Sequence, residues 1–280
     1  MIEGVMIRGR RTIGLACRKP DGGIYRYREV LDSPLQRSRL ARAPFVRGVV
    51  VLWESLRYGM RMLMRSADVQ LGESGASLGG AGGTGIMAGT VVIALAVFVG
   101  LPYLLTSFLR SAVPSTLALN LGEGLLRLAM LLVYLFAISF LPDIRRVFAY
   151  HGAEHMTIHA FEHGDPLDAS HVTPYPTAHP RCGTAFLLFV VAVAIVAFAF
   201  VPRVNIAVDL VVRLLLVLPV AAVSYEVLRL GARHEANPLV RLLVAPGLLL
   251  QRITTRRPDD AMIEVAVASL EEALAGDAAA

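Results

Sequence analysis

The sequence predicts a mostly α-helical membrane protein: four transmembrane helices arranged as two hairpins, with a small cytoplasmic β-sheet at the amino terminus and amphipathic helices on the surface. Three observations lead there. At 55% hydrophobic residues and a mean hydropathy of +0.60, the 280-residue chain is too apolar for an ordinary soluble domain. Its apolar residues are bunched into long runs, several of them without charge. The polar residues gather at the two ends and in one central island, where six of the seven histidines fall between His151 and His179.

Residues 1–71 read as a sheet followed by a helix. Val5-Met-Ile and Thr12 to Cys17 are short apolar runs, and Pro20-Asp-Gly-Gly23 is a hairpin turn leading into the alternating Ile24-Tyr-Arg-Tyr-Arg-Glu-Val30. From Pro44 to Ser66 apolar residues recur at helical spacing with Arg47, Glu54, Arg57, Arg61 and Arg65 between them. Such a helix either lies on the inner leaflet with Trp53 at the interface or docks on the sheet. Residues 72–84 form a Gly- and Ser-rich linker. It lacks G-x-x-x-x-G-K-[ST], which excludes a phosphate loop.

The spans follow as Gly85–Leu109 and Leu121–Leu141 (first hairpin, within 85–141), then Gly183–Val201 and Val204–Leu230 (second hairpin, 183–230). Glu123 with Arg127, and Asp209 with Arg213, stand at matching places in the two second helices. Each reads either as a self-neutralising i, i+4 pair near a helix end, where arginine can snorkel, or as functional intramembrane charge, and together they suggest a weak internal repeat. Residues 231–280 hold an interfacial or re-entrant segment at Leu239–Leu250 and an acidic amphipathic helix at 260–275 suited to cover the sheet; Gly276 to Ala280 should fray.

Charge sets the orientation. Of 27 basic residues, one of them a lysine, fourteen precede Gly72 and six follow Leu228, whereas the two short links between paired spans hold only Arg110 and Arg203. The positive-inside rule then puts both termini and the histidine island in the cytoplasm, on the plasma membrane. No basic run is interleaved with aromatics, so nucleic-acid binding is excluded. Cys17 and Cys182 make no disulfide framework, and Met1-Ile-Glu-Gly-Val does not open a removable signal peptide.

The island, 142–182, carries the chemistry. His151, Glu154 and His155 spell H-x-x-E-H, in which two imidazoles one helical turn apart hold a divalent metal and the carboxylate works beside it. A second copy, His159-Ala-Phe-Glu162-His163, follows at once, but Glu162 lies about 10 Å along the axis from His155, too far to share one ion. His179-Pro-Arg-Cys182 adds two more ligand types. His151 and His155 are the first metal ligands expected and His179 the third, with Cys182 and Glu162 as further candidates and Glu154 and Arg181 as the catalytic pair. Cys182 in the fourth position would close the site; water there would open it. Zinc suits imidazole and thiolate, while direct carboxylate ligation would admit iron or manganese. Arg145 and Arg146 read as anion-binding or topology-setting residues, and His163 and His171 as surface imidazoles.

Asp143 to His155, His179-Pro-Arg-Cys-Gly-Thr184 and Ile2-Glu-Gly-Val-Met-Ile-Arg-Gly9 resemble the bacterial DUF1385, or YqhQ-like, family over nearly the whole chain. That resemblance implies a membrane protein of metal-dependent enzyme type without an assigned substrate. His151, Glu154, His155, Glu162, His179, Arg181 and Cys182 match its pattern; His159 and His163 do not, and Met156 stands where a lysine is usual. The functional expectation is an integral-membrane, metal-dependent hydrolase of a peptide or lipid-linked substrate, with membrane lipids as partners and self-association left open. A scaffold or assembly factor with a structural metal is the alternative, and a transporter the third.

Overall fold

A computed structural model describes residues 1–33, 38–72, 81–180, 182–234 and 237–279. The chain is mostly helical with one small sheet. Strands β1 (Gly4–Arg8), β2 (Thr12–Arg18) and β3 (Ile24–Val30) form an antiparallel meander in that order, with Val5 opposite Ala16 and Leu15 opposite Tyr27. The expected hairpin closes through Gly22 at φ +86°, a conformation glycine adopts without strain.

Both faces of β2 are covered, and side-chain alternation decides by what. Ile13 and Leu15 meet Tyr58 and Met62 of α1 (Val46–Leu71), whose inward stripe is Glu54, Tyr58, Met62 and Ser66 at intervals of four. The amphipathic helix therefore docks on the sheet and leaves Trp53 and Leu56 outward. Glu54 belongs to the buried stripe, not to the wet face; Arg8 and Ser33 hold its carboxylate. On the opposite face, Gly14 and Ala16 are small because α9 (Asp260–Ala279) presses directly on them. A Cβ on Gly14 would stand 2.1 Å from the Ser269 carbonyl oxygen. Gly14→Ala should destabilise by about 1–3 kcal/mol through this overpacking. Its thermal midpoint in detergent checks this, and an unchanged midpoint contradicts it.

The carboxyl end does not fray through Ala279. Gly276 packs on Thr12, and the Asp277 carboxylate accepts the backbone N–H groups of Arg10 and Arg11 at 2.6 and 2.8 Å. Helix α4 (Pro142–His163) joins the same layer. Its Ala149, Ala153, Met156 and Ala160 pack with Val5, Ile7 and α9, and Arg146 forks onto Glu3 of the sheet's leading edge at 2.6 and 2.5 Å instead of facing lipid.

Three helices are long and apolar enough to cross a membrane: Ala88–Ser107, Thr116–Ile138 and Ile206–Gly231. The first is the end of α2, which begins at Ala81 within the expected linker and runs through a π-turn at Ala96–Gly100 to Ser107; the rest of the linker, 73–80, lies outside the described residues. The others are α3 (Thr116–Ile138) and most of α7 (Ile206–Arg233). The third expected span is α6 (Thr184–Ala199), uncharged but only 16 residues, about 24 Å against a hydrocarbon core of about 30 Å. Helix α8 (Pro238–Thr254) packs against α6 and α7 through Val244.

The charged residues of the spans do not form two self-neutralising pairs. Glu123 binds Arg127 as expected, at 2.8 Å, but Arg213 also goes to Glu123 (2.8 and 2.9 Å), and so does Arg203 (2.8 Å). Asp209 instead accepts from the Tyr103 hydroxyl at 2.6 Å and the Val204 N–H. All five charged groups are buried, so none snorkels. The π-turn has its cause here. Pro102 has no N–H for the Phe98 carbonyl one turn earlier, and the Arg127 guanidinium donates to it at 2.7 Å.

Candidate metal centre

Pro142 at the first turn and Asp143 at the positive end of the dipole start α4, and Gly164 at φ +78° stops it. At about 100° per residue, His151, His155, His159 and Glu162 fall within one 80° stripe. The apolar face of α4 is spent on the sheet, so this stripe turns to residues 175–182 and the end of α8.

Two groups of ligand atoms result. His151, His155 and Cys182 have theirs within 4.8 Å of one another, as do His159, Glu162 and His179. The groups adjoin: ring centroids lie 4.3 Å apart for His151 and His155, 5.8 Å for His155 and His179, and 4.6 Å for His159 and His179. His179, expected beside His151 and His155, thus joins the second group, and Cys182 takes its place in the first. The reason is the fold-back of the loop. Gln251 of α8, buried, donates to the His179 carbonyl (2.9 Å) and accepts its N–H (2.8 Å), which pins His179 one turn further along α4.

Backbone carbonyls orient the rings. His151 Nδ1–H donates to Thr254 O at 2.8 Å and His155 Nδ1–H to Thr177 O at 2.6 Å; a carbonyl only accepts, so the protonated nitrogen is defined and each Nε2 is left as a lone-pair donor. His151 Nε2 lies 3.2 Å from Cys182 Sγ. In the second group His159 Nε2–H donates to Ala178 O at 2.9 Å, leaving Nδ1, and His179 Nε2 is 3.3 Å from Glu162 Oε2. Ring tautomers set by carbonyl acceptors are the usual support of imidazole ligands, and the residues present fit a divalent metal.

The two cysteines differ. Burial pushes the Cys17 thiol up to about 11, an inert core sulfur. Burial also pushes Cys182 up, but hydrogen bonding and charge from the His155 ring in its protonated form, with the Thr184 hydroxyl and N–H, outweigh it and hold this thiol below its ordinary value. Glu154 belongs to neither ligand group. It lies about 80° from the His151–His155 midline, the offset that the carboxylate of H-E-x-x-H has on the other side. Half-buried, it makes no hydrogen bond among the described residues; burial raises its pKa, partly offset by His151 and the amino terminus.

Arg181 lies outside the described residues. His159 is the ligand-type residue that sequence reasoning set aside; its signal was the i, i+4, i+8 series from His151. His171 pairs with Asp168 and His163 caps a carbonyl of its own helix, both at the surface.

The family model described as "Protein of unknown function (DUF1385)" matches residues 43–276. The chain belongs to the DUF1385 family. It is 31% identical over 295 residues to "Uncharacterized protein YqhQ" of Bacillus subtilis (strain 168), covering 98% of this chain and 90% of that protein. No solved structure matches. The matched region spans both ligand groups, so this DUF1385 chain carries its histidine stripe and its folded-back loop wholly within the family's own region.

Proposed function

We propose that this protein is an integral-membrane, metal-dependent hydrolase acting on a peptide or lipid-linked substrate at the cytoplasmic face. The observation that carries the reading is the convergence of His151, His155 and Cys182, from a helix and a loop, with both ring tautomers preset. Three protein ligands leave a position open, as catalytic sites do. A divalent cation, zinc by ligand type, would supply Lewis acidity there. Glu154, without a hydrogen bond among the described residues and with its pKa raised, holds or accepts a proton beside the site, and Arg181 is assigned the anionic part of the substrate.

Parity supports four crossings. The sheet, α4 and α9 pack as one unit, yet α2–α3 and α6–α7 lie between them in the chain, so each pair must return the chain to its starting side. A crossing by α7 alone would strand α9, which argues for α6 as the remaining span; its shortfall is met by flanking residues or local thinning. The arginine bias supports a cytoplasmic location for both termini and the site, and the proposed membrane is the plasma membrane. Burial of His155 and Cys182 favours one second reading, a scaffold whose metal only pins the loop.

Elemental analysis of detergent-purified protein tests the metal. His155→Ala should lose about one equivalent of zinc relative to wild type. Glu154→Gln should keep metal and fold while failing to restore function in a deletion strain. A wild type without metal under chelator-free preparation rejects both readings; restoration by Glu154→Gln leaves the scaffold.

A further inference from the structure

The ligand stripe of α4 is too long for one ion. The midpoint of His151 and His155 and that of His159 and Glu162 are separated by about 11 Å of helix axis, several times a metal–ligand bond of about 2 Å. No ligand is shared between the groups. We propose that His159, Glu162 and His179 form a second divalent-cation site, so that the chain holds two chemically unlike ions side by side.

The outer group stands on its own residues. Its ligand atoms lie within 4.8 Å of one another, and its donor set, two imidazoles and one carboxylate, is that of open catalytic zinc sites. Both imidazoles are held before any ion arrives, His159 by the Ala178 carbonyl and His179 through the two hydrogen bonds of its backbone to Gln251. Tyr175 stacks parallel to His159 with centroids 5.9 Å apart and completes a wall on that side. Glu162 is exposed and His159 half-exposed, whereas His155 and Cys182 are buried. The inner site is thus the more enclosed, sulfur-containing one that suits zinc. The outer, of nitrogen and oxygen, faces solvent and also suits manganese or iron.

This deepens the reading above without depending on it, because the ligands differ. Full-length protein in detergent, stripped by a chelator, is titrated with Co2+ alone and followed by visible absorption and by bound cobalt. Two equivalents are expected, one with a thiolate-to-cobalt charge-transfer band and one without. Cys182→Ser should remove the band and keep the outer equivalent. His159→Ala and the near-isosteric Glu162→Gln should each remove the equivalent without the band and keep the other, with gel-filtration profiles unchanged. A single equivalent that carries the band in the wild type, or loss of the charge-transfer band in Glu162→Gln, overturns the second site. One equivalent without the band that is abolished by Glu162→Gln overturns the inner site and upholds the outer.

Discussion

Replacing Glu123 by glutamine should cost more stability than any other single polar change in the long apolar helices. Its two oxygens accept four hydrogen bonds from three guanidiniums, Arg127, Arg203 and Arg213, all between 2.8 and 2.9 Å. An amide in that place turns one acceptor into a donor aimed at arginine, in a cluster that is buried. Breaking a buried pair costs about 3–5 kcal/mol because an uncompensated charge remains, and here three cations would be left together. Asp209 cannot take over, since its oxygens serve Tyr103 and the Val204 N–H. The expected result is little monodisperse protein and a much lower unfolding midpoint in detergent. Adding Arg213→Met to Glu123→Gln should recover part of the loss. If Glu123→Gln unfolds like the wild type, Glu123 is not the hub of this network.

Gly152→Ala should disturb the candidate metal centre from behind. A Cβ at Gly152 would sit 2.1 Å from the Arg256 carbonyl oxygen, a backbone atom with no flexible end to swing away. That segment is tied to α4 by Arg256 N–H donating to Phe148 O at 2.9 Å, and its Thr254 carbonyl fixes the His151 tautomer. Alanine gains about 1 kcal/mol of helix propensity over glycine, but forced displacement of packed backbone costs about 1–3 kcal/mol or more. The steric term wins, and the Thr254–His151 hydrogen bond is the first to open. Reduced zinc content with a lowered midpoint is expected; full zinc and an unchanged midpoint would show that the segment moves freely.

Much of this was legible in the sequence because it is local. The Pro20–Gly23 hairpin, the apolar spans and the His151–Glu154–His155 spacing each report on neighbours within a few turns. What failed to show was set by long-range closure. Cys182 rather than His179 joins His151 because Gln251, some seventy residues on, decides where the loop docks. Arg213 ignores Asp209 one turn away for Glu123 on another helix, which i, i+4 spacing cannot reveal. Glu54 looked like a wet-face residue until Arg8 and Ser33 were seen to enclose it. His159 was discounted by family pattern although its helical position placed it on the stripe.

The packing of α9 on the sheet has a consequence for synthesis. β2 emerges before the long apolar helices with apolar residues on both faces, and the helix that shields Gly14 and Ala16 emerges after them. The unit built from the sheet, α4 and α9 therefore stays half-built on the ribosome until the long apolar helices between its parts have been made. Helix α4, with its histidines, leans on that same unfinished layer. Assembly of the two candidate ligand groups is thus coupled to completion of those helices, and a stalled chain would present bare sheet to the quality-control machinery.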